Sequence, residues 1–222
     1  MIRFEHVTKV FSIDGQHKIV ADDIDVTFPT GRSVGLLGRN GAGKSTLLQM
    51  IAGTVKPTYG RIVSTGTISF PVGFAGSFHP ELTGLQNTRF VGRIYGVDTD
   101  ELIDFVEDFA GLDQHFRLPF RSYSSGMKSR LAFGVSMGIG FDTYLVDEVT
   151  AVGDAAFRER SNQVFTERMK TSGSVVVSHS MAQVRELCDA VAVLHNGRLT
   201  YYDDVDAGIE VHSRNMEALN AS

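Results

Sequence analysis

Only one cysteine, Cys188, occurs among the 222 residues. An internal disulfide is therefore impossible, and nothing points to an oxidising compartment. Basic charge is scarce as well. The 21 Lys and Arg against 26 Asp and Glu give a net charge of −5, so the chain has no general electrostatic footprint for nucleic acid. No stretch approaches the roughly 18 uninterrupted apolar residues that a membrane span requires. The opening "MIRFEHVTKVF" sets charges among alternating apolar residues and is no signal peptide. Internal repeats, low-complexity tracts and linkers are missing too. What remains is ordinary globular composition, 42% hydrophobic and 21% charged, enough for one large domain or two small ones. These absences predict a cytoplasmic protein that meets any membrane through a partner.

The apolar pattern then organises the chain. Residues 2–10 and 18–28 alternate and read as two strands around a polar turn, "SIDGQHK", a hairpin. The run "SVGLL" leads through a glycine-rich turn into a helix that closes at Gly53 and Pro57. From about residue 75 to 140 the spacing is helical, as in Leu102, Phe105, Val106 and Phe109. After that come "TYLV", a helix through 155–170, "SVVVS", a helix near 181–188, "AVAVLHNG" and "RLTYY". Strands separated by helices predict an α/β fold with a mainly parallel sheet. The polar final dozen residues are a helix or a frayed tail.

Three of the strands lead into residues with chemistry. "GRNGAGKST" fits G-x-x-x-x-G-K-[ST], with Gly38, Asn40, Gly41, Ala42, Gly43, Lys44, Ser45 and Thr46 in the loop and helix start. Glycines let backbone N–H groups turn inward as an anion nest at a helix N-terminus, where the dipole also favours phosphate. Lys44 would reach the β- and γ-phosphates of a nucleotide, and the Ser45 hydroxyl would ligate Mg²⁺. "TYLVDEV" carries Asp147 and Glu148 to the end of a buried strand, the edge where ligands bind in open α/β sheets. Asp147 would hold the Mg²⁺ shell, and Glu148 would accept a proton from, or orient, an attacking water. "SVVVSHS" delivers His179 to the same edge, where it could bond the γ-phosphate and hold that water.

With these parts in place, "YSSGM" (Tyr123–Met127), opening the basic helix "KSRLAF", resembles the signature of ABC transporter nucleotide-binding subunits. The resemblance covers nearly the whole chain. It matches Gly38–Thr46 to the Walker A loop, Asp147 and Glu148 to the Walker B end, "AVGD" with Asp154 to the D-loop, and His179 to the switch histidine. It implies a P-loop ABC cassette over residues 1–222, with a RecA-like core, an N-terminal antiparallel β subdomain and an inserted α-helical subdomain at about 75–140. Phe11 corresponds to the aromatic that stacks on adenine, with a core phenylalanine as the other reading. Ser124, Ser125 and Gly126 would contact the γ-phosphate held by a second copy of the chain, which makes the unit an ATP-sandwich homodimer. ATP and Mg²⁺ are the implied cofactors. An integral-membrane permease is the implied partner, at the cytoplasmic face of a bacterial inner membrane, with no nucleic acid and no span of the chain's own. One element departs from the family. No glutamine lies between Gln49 and Gln86, so Ser77, His79 or the backbone must take over the coupling contact.

"YSSGM…RLAF", "AVGD" and "FHPELTG" together resemble the ATPases of polysaccharide exporters. "RFVGRIYG" and an end at Ser222, without room for a carbohydrate-binding domain, resemble the capsular-polysaccharide branch in particular. O-antigen or teichoic-acid export is the alternative. A soluble ABC ATPase acting on ribosomes or DNA usually has two cassettes or an inserted coiled coil, and this chain has neither. A P-loop GTPase would carry Asn-Lys-x-Asp, which is absent.

Overall fold

The computed structural model describes residues 1–13, 16–73, 76, 78–147 and 155–220. The chain divides into two compact units, one of Met1–Pro71, Phe141–Val149 and Thr171–Ser222, the other of Val72–Gly140 and Thr150–Lys170.

The first unit carries two sheets. The strands β1 (Ile2–Ile13), β2 (Gln16–Phe28) and β4 (Tyr59–Ser64) form an antiparallel sheet in the order β2-β1-β4. The second sheet has the order β5-β6-β7-β3-β8-β9, from β5 (Ile68–Pro71), β6 (Thr143–Asp147), β7 (Gly173–Val177), β3 (Ser33–Leu37), β8 (Ala190–His195) and β9 (Arg198–Tyr202). Its pairings are parallel except β8 with β9. That last pair is a hairpin closed by Asn196 and Gly197, at φ 48° and 79°, the Asn-Gly pair that suits the twist of a two-residue turn. β3 and β7 are buried at every position, as strands covered on both faces must be. One core joins Phe4, Val7, Ile24 and Phe28 of the antiparallel sheet to Leu36, Val175 and Ala192 of the larger sheet and to the helix α1 (Lys44–Ile51). Leu47 and Leu48 anchor that helix at 0% and 1% exposure. Truncating either to Ala would cost about 2–5 kcal/mol. The phosphate-loop helix therefore stands on a rigid floor.

Two features differ from the sequence reading. The expected turn "SIDGQHK" is mostly strand: β1 runs to Ile13 and β2 starts at Gln16, with Phe11 opposite Lys18 and Ser12 opposite His17. β4 and β5 were not foreseen. β4 is exposed at five of its six positions, so it lacks apolar alternation, and β5 has only four residues.

The second unit is helical: α2 (Gly84–Tyr95), α3 (Thr99–Ala110), α4 (Ser125–Gly138) and α5 (Ala155–Met169). α2 starts with a capping box. Thr83 Oγ1 accepts from the Gln86 amide at 3.1 Å, and Gln86 Oε1 accepts from the Thr83 amide at 2.9 Å. This is the use the chain makes of Gln86. Asp98 caps α3, and Gly96 and Gly111 end α2 and α3 in left-handed conformation. Phe109 centres the packing, stacked on Phe105 and Phe133 and edge-on to Phe157. Gly134 and Gly138 keep α4 close to α3, since a Cβ at Gly138 would lie 2.5 Å from Leu102 Cδ1. Two helices in the remainder, α6 (Met181–Leu187) and α7 (Val205–Asn220), belong to the first unit.

Candidate nucleotide site

β3 ends at Leu37 and the chain turns through Gly38–Gly43 into α1. Each glycine has a steric or conformational reason. A Cβ at Gly38 would meet the Leu194 carbonyl oxygen at 2.7 Å, so the loop lies flat on β8. Gly41 and Gly43 adopt φ of 75° and 111°, which turns their peptide planes as a nest requires. A Cβ at Gly43 would also lie 2.0 Å from Val20 Cγ1. Gly43 is the N-cap of α1 and brings no capping side chain, so the first-turn amides are left for an anion. Lys44 is 8% exposed. Its Nζ donates to the Gly38 and Arg39 carbonyls at 2.8 and 3.1 Å, which folds the charge back over the loop.

A cavity of about 600 Å³ opens over this loop, lined by Asn40, Gly41, Gly43, Lys44, Ser45, Thr46, Asp147, His179 and Phe11. Its size suits a small ligand. Asp147 ends β6 in register with Val177 of β7, and His179 follows two residues beyond Val177. Both predicted strand-end groups thus reach one cavity. Ser180 caps α6 after His179 by accepting from the Gln183 amide, and Ser178 Oγ donates to Gln183 Oε1 at 2.8 Å, fixing the backbone on both sides of the imidazole. Phe11 is 36% exposed, with Lys9 Nζ 4.8 Å from its ring centroid. That much exposure rules out the core reading of Phe11. Gly38 and Ala42 do not line the cavity: Gly38 backs onto β8, and Ala42 packs on the core. Glu148, Asp154 and Ser77 lie outside the described residues. Three lining residues were not foreseen, Lys18, Val20 and Val177.

The signature residues lie in the helical unit. Ser124 is the N-cap of α4, its Oγ accepting from the Met127 amide at 3.3 Å. Tyr123 is 4% exposed and donates to the His115 carbonyl at 2.6 Å; burial pushes its phenol above the usual range. This buried anchor sets the helix start. Ser124 and Gly126 line a smaller cavity of about 270 Å³ with Asp113, His115, Met127 and Arg130. Ser125 is exposed and does not line it. His79, one alternative for the coupling contact, has its amide and carbonyl bonded by the Asn87 side chain, and its Nδ1 accepts from the Glu81 amide.

Residues 21–151 match the family described as ABC transporter. The chain belongs to the ABC transporter family. Among its relatives, an Escherichia coli protein named "Polysialic acid transport ATP-binding protein KpsT" is 48% identical over 213 residues, 95% of each chain. "Capsule polysaccharide export ATP-binding protein CtrD" of Neisseria meningitidis serogroup B is 42% identical over 96% of this chain and 99% of its own. The fold is that of the ATP-binding cassette MJ0796, whose dimeric post-hydrolysis structure is bound to ADP and Pi. It superposes with a TM-score of 0.74 at 20% identity, covering 90% of this chain and 97% of that one. As an ABC-type ATPase the chain acts on a nucleotide. Among the described residues no helix is long and apolar enough to cross a membrane.

Proposed function

We propose that this ABC protein is the ATP-hydrolysing subunit of a capsular-polysaccharide exporter, working as a homodimer on a separate integral-membrane permease at the cytoplasmic face of the inner membrane. The observation that carries the chemistry is the single cavity in which the glycine nest, Lys44, Ser45, Asp147 and His179 meet beside an exposed Phe11. The polymer class is supported by the transport and export named for relatives that match this chain over nearly their full length.

Each group then has a task. Phe11 stacks on the adenine, and Gly41–Thr46 wrap the phosphates with backbone amides. Lys44 exchanges its two loop carbonyls for β- and γ-phosphate oxygens. Ser45 and Asp147 offer a hydroxyl and a carboxylate, the hard oxygen donors that fit Mg²⁺. The bound ion would neutralise charge gathering on the phosphates. Glu148 orients a water and accepts its proton as the water oxygen bonds to the γ-phosphorus and the bond to the β-phosphate oxygen breaks. His179 holds the γ-phosphate and that water. Ser124 and Gly126 of a second copy close over the same phosphate. Once the γ-phosphate leaves, the contact to the signature is lost and the sandwich loosens.

The test uses the Glu148→Gln variant, tagged in its native host. ATP binding should persist and turnover should fall by about a hundredfold or more. With Mg·ATP present, a multi-span membrane protein should co-purify in equal amount, and the capsular polymer should accumulate inside the cell. Recovery in the soluble fraction with ribosomes or DNA would overturn the exporter reading. Normal turnover would remove Glu148 from the mechanism.

A further inference from the structure

The long β1–β2 hairpin places one residue at the nucleotide cavity for which the sequence motifs give no reason. Lys18 stands directly opposite Phe11 in the ladder, and directly opposed residues project from the same face. Val20, two residues along β2, sits where the ladder register shifts and lines the same cavity as Lys18. Its Cγ1 lies where a side chain on Gly43 would be, 2.0 Å from that position, so Val20 marks the phosphate nest. Lys18 stands two residues along β2 from it, with Phe11 opposite. Phe11, Lys18, Val20 and Gly43 all line the same cavity. In a nucleotide stacked on Phe11 with its β-phosphate in the nest, the ribose and α-phosphate must cross that interval. Lys9, the other lysine beside Phe11, is committed, donating to the Lys56 carbonyl at 2.8 Å. The Lys18 side chain is exposed, and no hydrogen bond or ion pair among the described residues holds its ammonium.

We infer that Lys18 is a nucleotide-binding residue whose ammonium pairs with the α-phosphate. The inference rests on the nucleotide reading of the cavity. An ammonium on a flexible stem suits a phosphate oxygen as a point charge, and a rim position makes its contribution modest and sensitive to salt.

Binding of ATP and ADP to the full-length chain is measured by calorimetry for wild type, Lys18→Gln, Lys18→Arg and Lys44→Ala, with steady-state kinetics alongside. Lys18→Gln should weaken ATP and ADP by the same factor, about three- to tenfold, because both carry the α-phosphate. The change should fall on KM rather than kcat, shrink at high salt, and be reversed in Lys18→Arg. Unchanged affinities in Lys18→Gln, with Lys44→Ala impaired, overturn the role of Lys18 alone. A loss for ATP without one for ADP places the charge at the γ-phosphate and overturns the assignment as well. If wild type binds neither nucleotide, the reading of the cavity itself fails.

Discussion

The N-termini of α1 and α4 offer an anion the same backbone amides, yet they are built differently. At α1 the N-cap is Gly43, which supplies no capping side chain and adopts φ 111° with Val20 pressed against it. Lys44 and the Asp147 strand end complete a cavity of about 600 Å³ around it. At α4 the N-cap is Ser124, whose hydroxyl already satisfies the Met127 amide, and the adjoining cavity is about 270 Å³. A Cβ on Gly126 would find only Ser124 Oγ, at 3.9 Å. The first terminus is an uncapped cradle with Lys44, Ser45 and Asp147 of the same chain around it. The second is a helix start already capped by its own serine. In the proposed function one end binds the phosphate and the other meets it from a second copy.

Adding one methyl group at each end should break this comparison most sharply. Gly43→Ala meets both a positive φ and Val20, and should destabilise the fold by about 2–4 kcal/mol while abolishing nucleotide binding. Gly126→Ala has room and sits in the first turn of a helix, so stability should hold or rise by up to about 1 kcal/mol. Its methyl group would nevertheless occupy the space needed by the second protomer's phosphate, and turnover should drop about tenfold or more with monomer ATP affinity unchanged. Thermal melts and ATPase assays of both variants decide the matter. Full activity in Gly126→Ala would remove the signature from the reaction.

Next in size is Lys44→Ala. The ammonium makes two hydrogen bonds to loop carbonyls and would exchange them for charged oxygens. Charge-assisted bonds of about 1.5–3 kcal/mol convert to a loss of about ten- to hundredfold in ATP affinity. The fold should survive, because the helix is held by Leu47 and Leu48 and not by the lysine. Calorimetric titration measures this directly, and an unaltered dissociation constant would contradict the cradle.

Which parts could be read from residues alone follows from how local their causes are. The cradle was legible because nest, cation and hydroxyl must follow one another at fixed spacing. β7 and β8 were legible because a buried parallel strand is an apolar run. β4 was not, since an exposed strand carries no alternation, and its place beside β1 is a long-range pairing. Lys18 was hidden for a related reason. It reads as part of a polar turn until the register sets it opposite Phe11. Gln86 shows the reverse case, a glutamine whose spacing from Thr83 already spelled a capping box. Placing His179 needed both the strand run and the parallel register with Asp147. The tight packing at Gly134 and Gly138 leaves no mark in periodicity, because it depends on Phe109 and Leu102 of another helix.

The smallest expected effect concerns pH and bears on the α1 side alone. His212 of α7 is held below its ordinary value by burial first, then by the charges of Lys44 and His195. Its unfolded state therefore binds more protons than the folded state in the window just below the ordinary histidine value of about 6.5. Stability from this group is complete above that value and is lost as pH falls through the window. His6 acts with the opposite sign. Its hydrogen bond to Asp23, and the charges of Asp23 and Asp25, hold it above its ordinary value, so its contribution is present at low pH and lost as pH rises. Comparing wild type with His212→Gln cancels His6 and isolates the half-buried ring of His212. Denaturant midpoints at pH 7.5 and 5.5 should fall less in the variant than in wild type. The signature variant Gly126→Ala should keep the wild-type pH slope, since His212 belongs to the unit that carries the cradle. Equal slopes in wild type and His212→Gln would mean that burial of the ring does not oppose its charge, and α7 would then play no part in the acid response of the cradle.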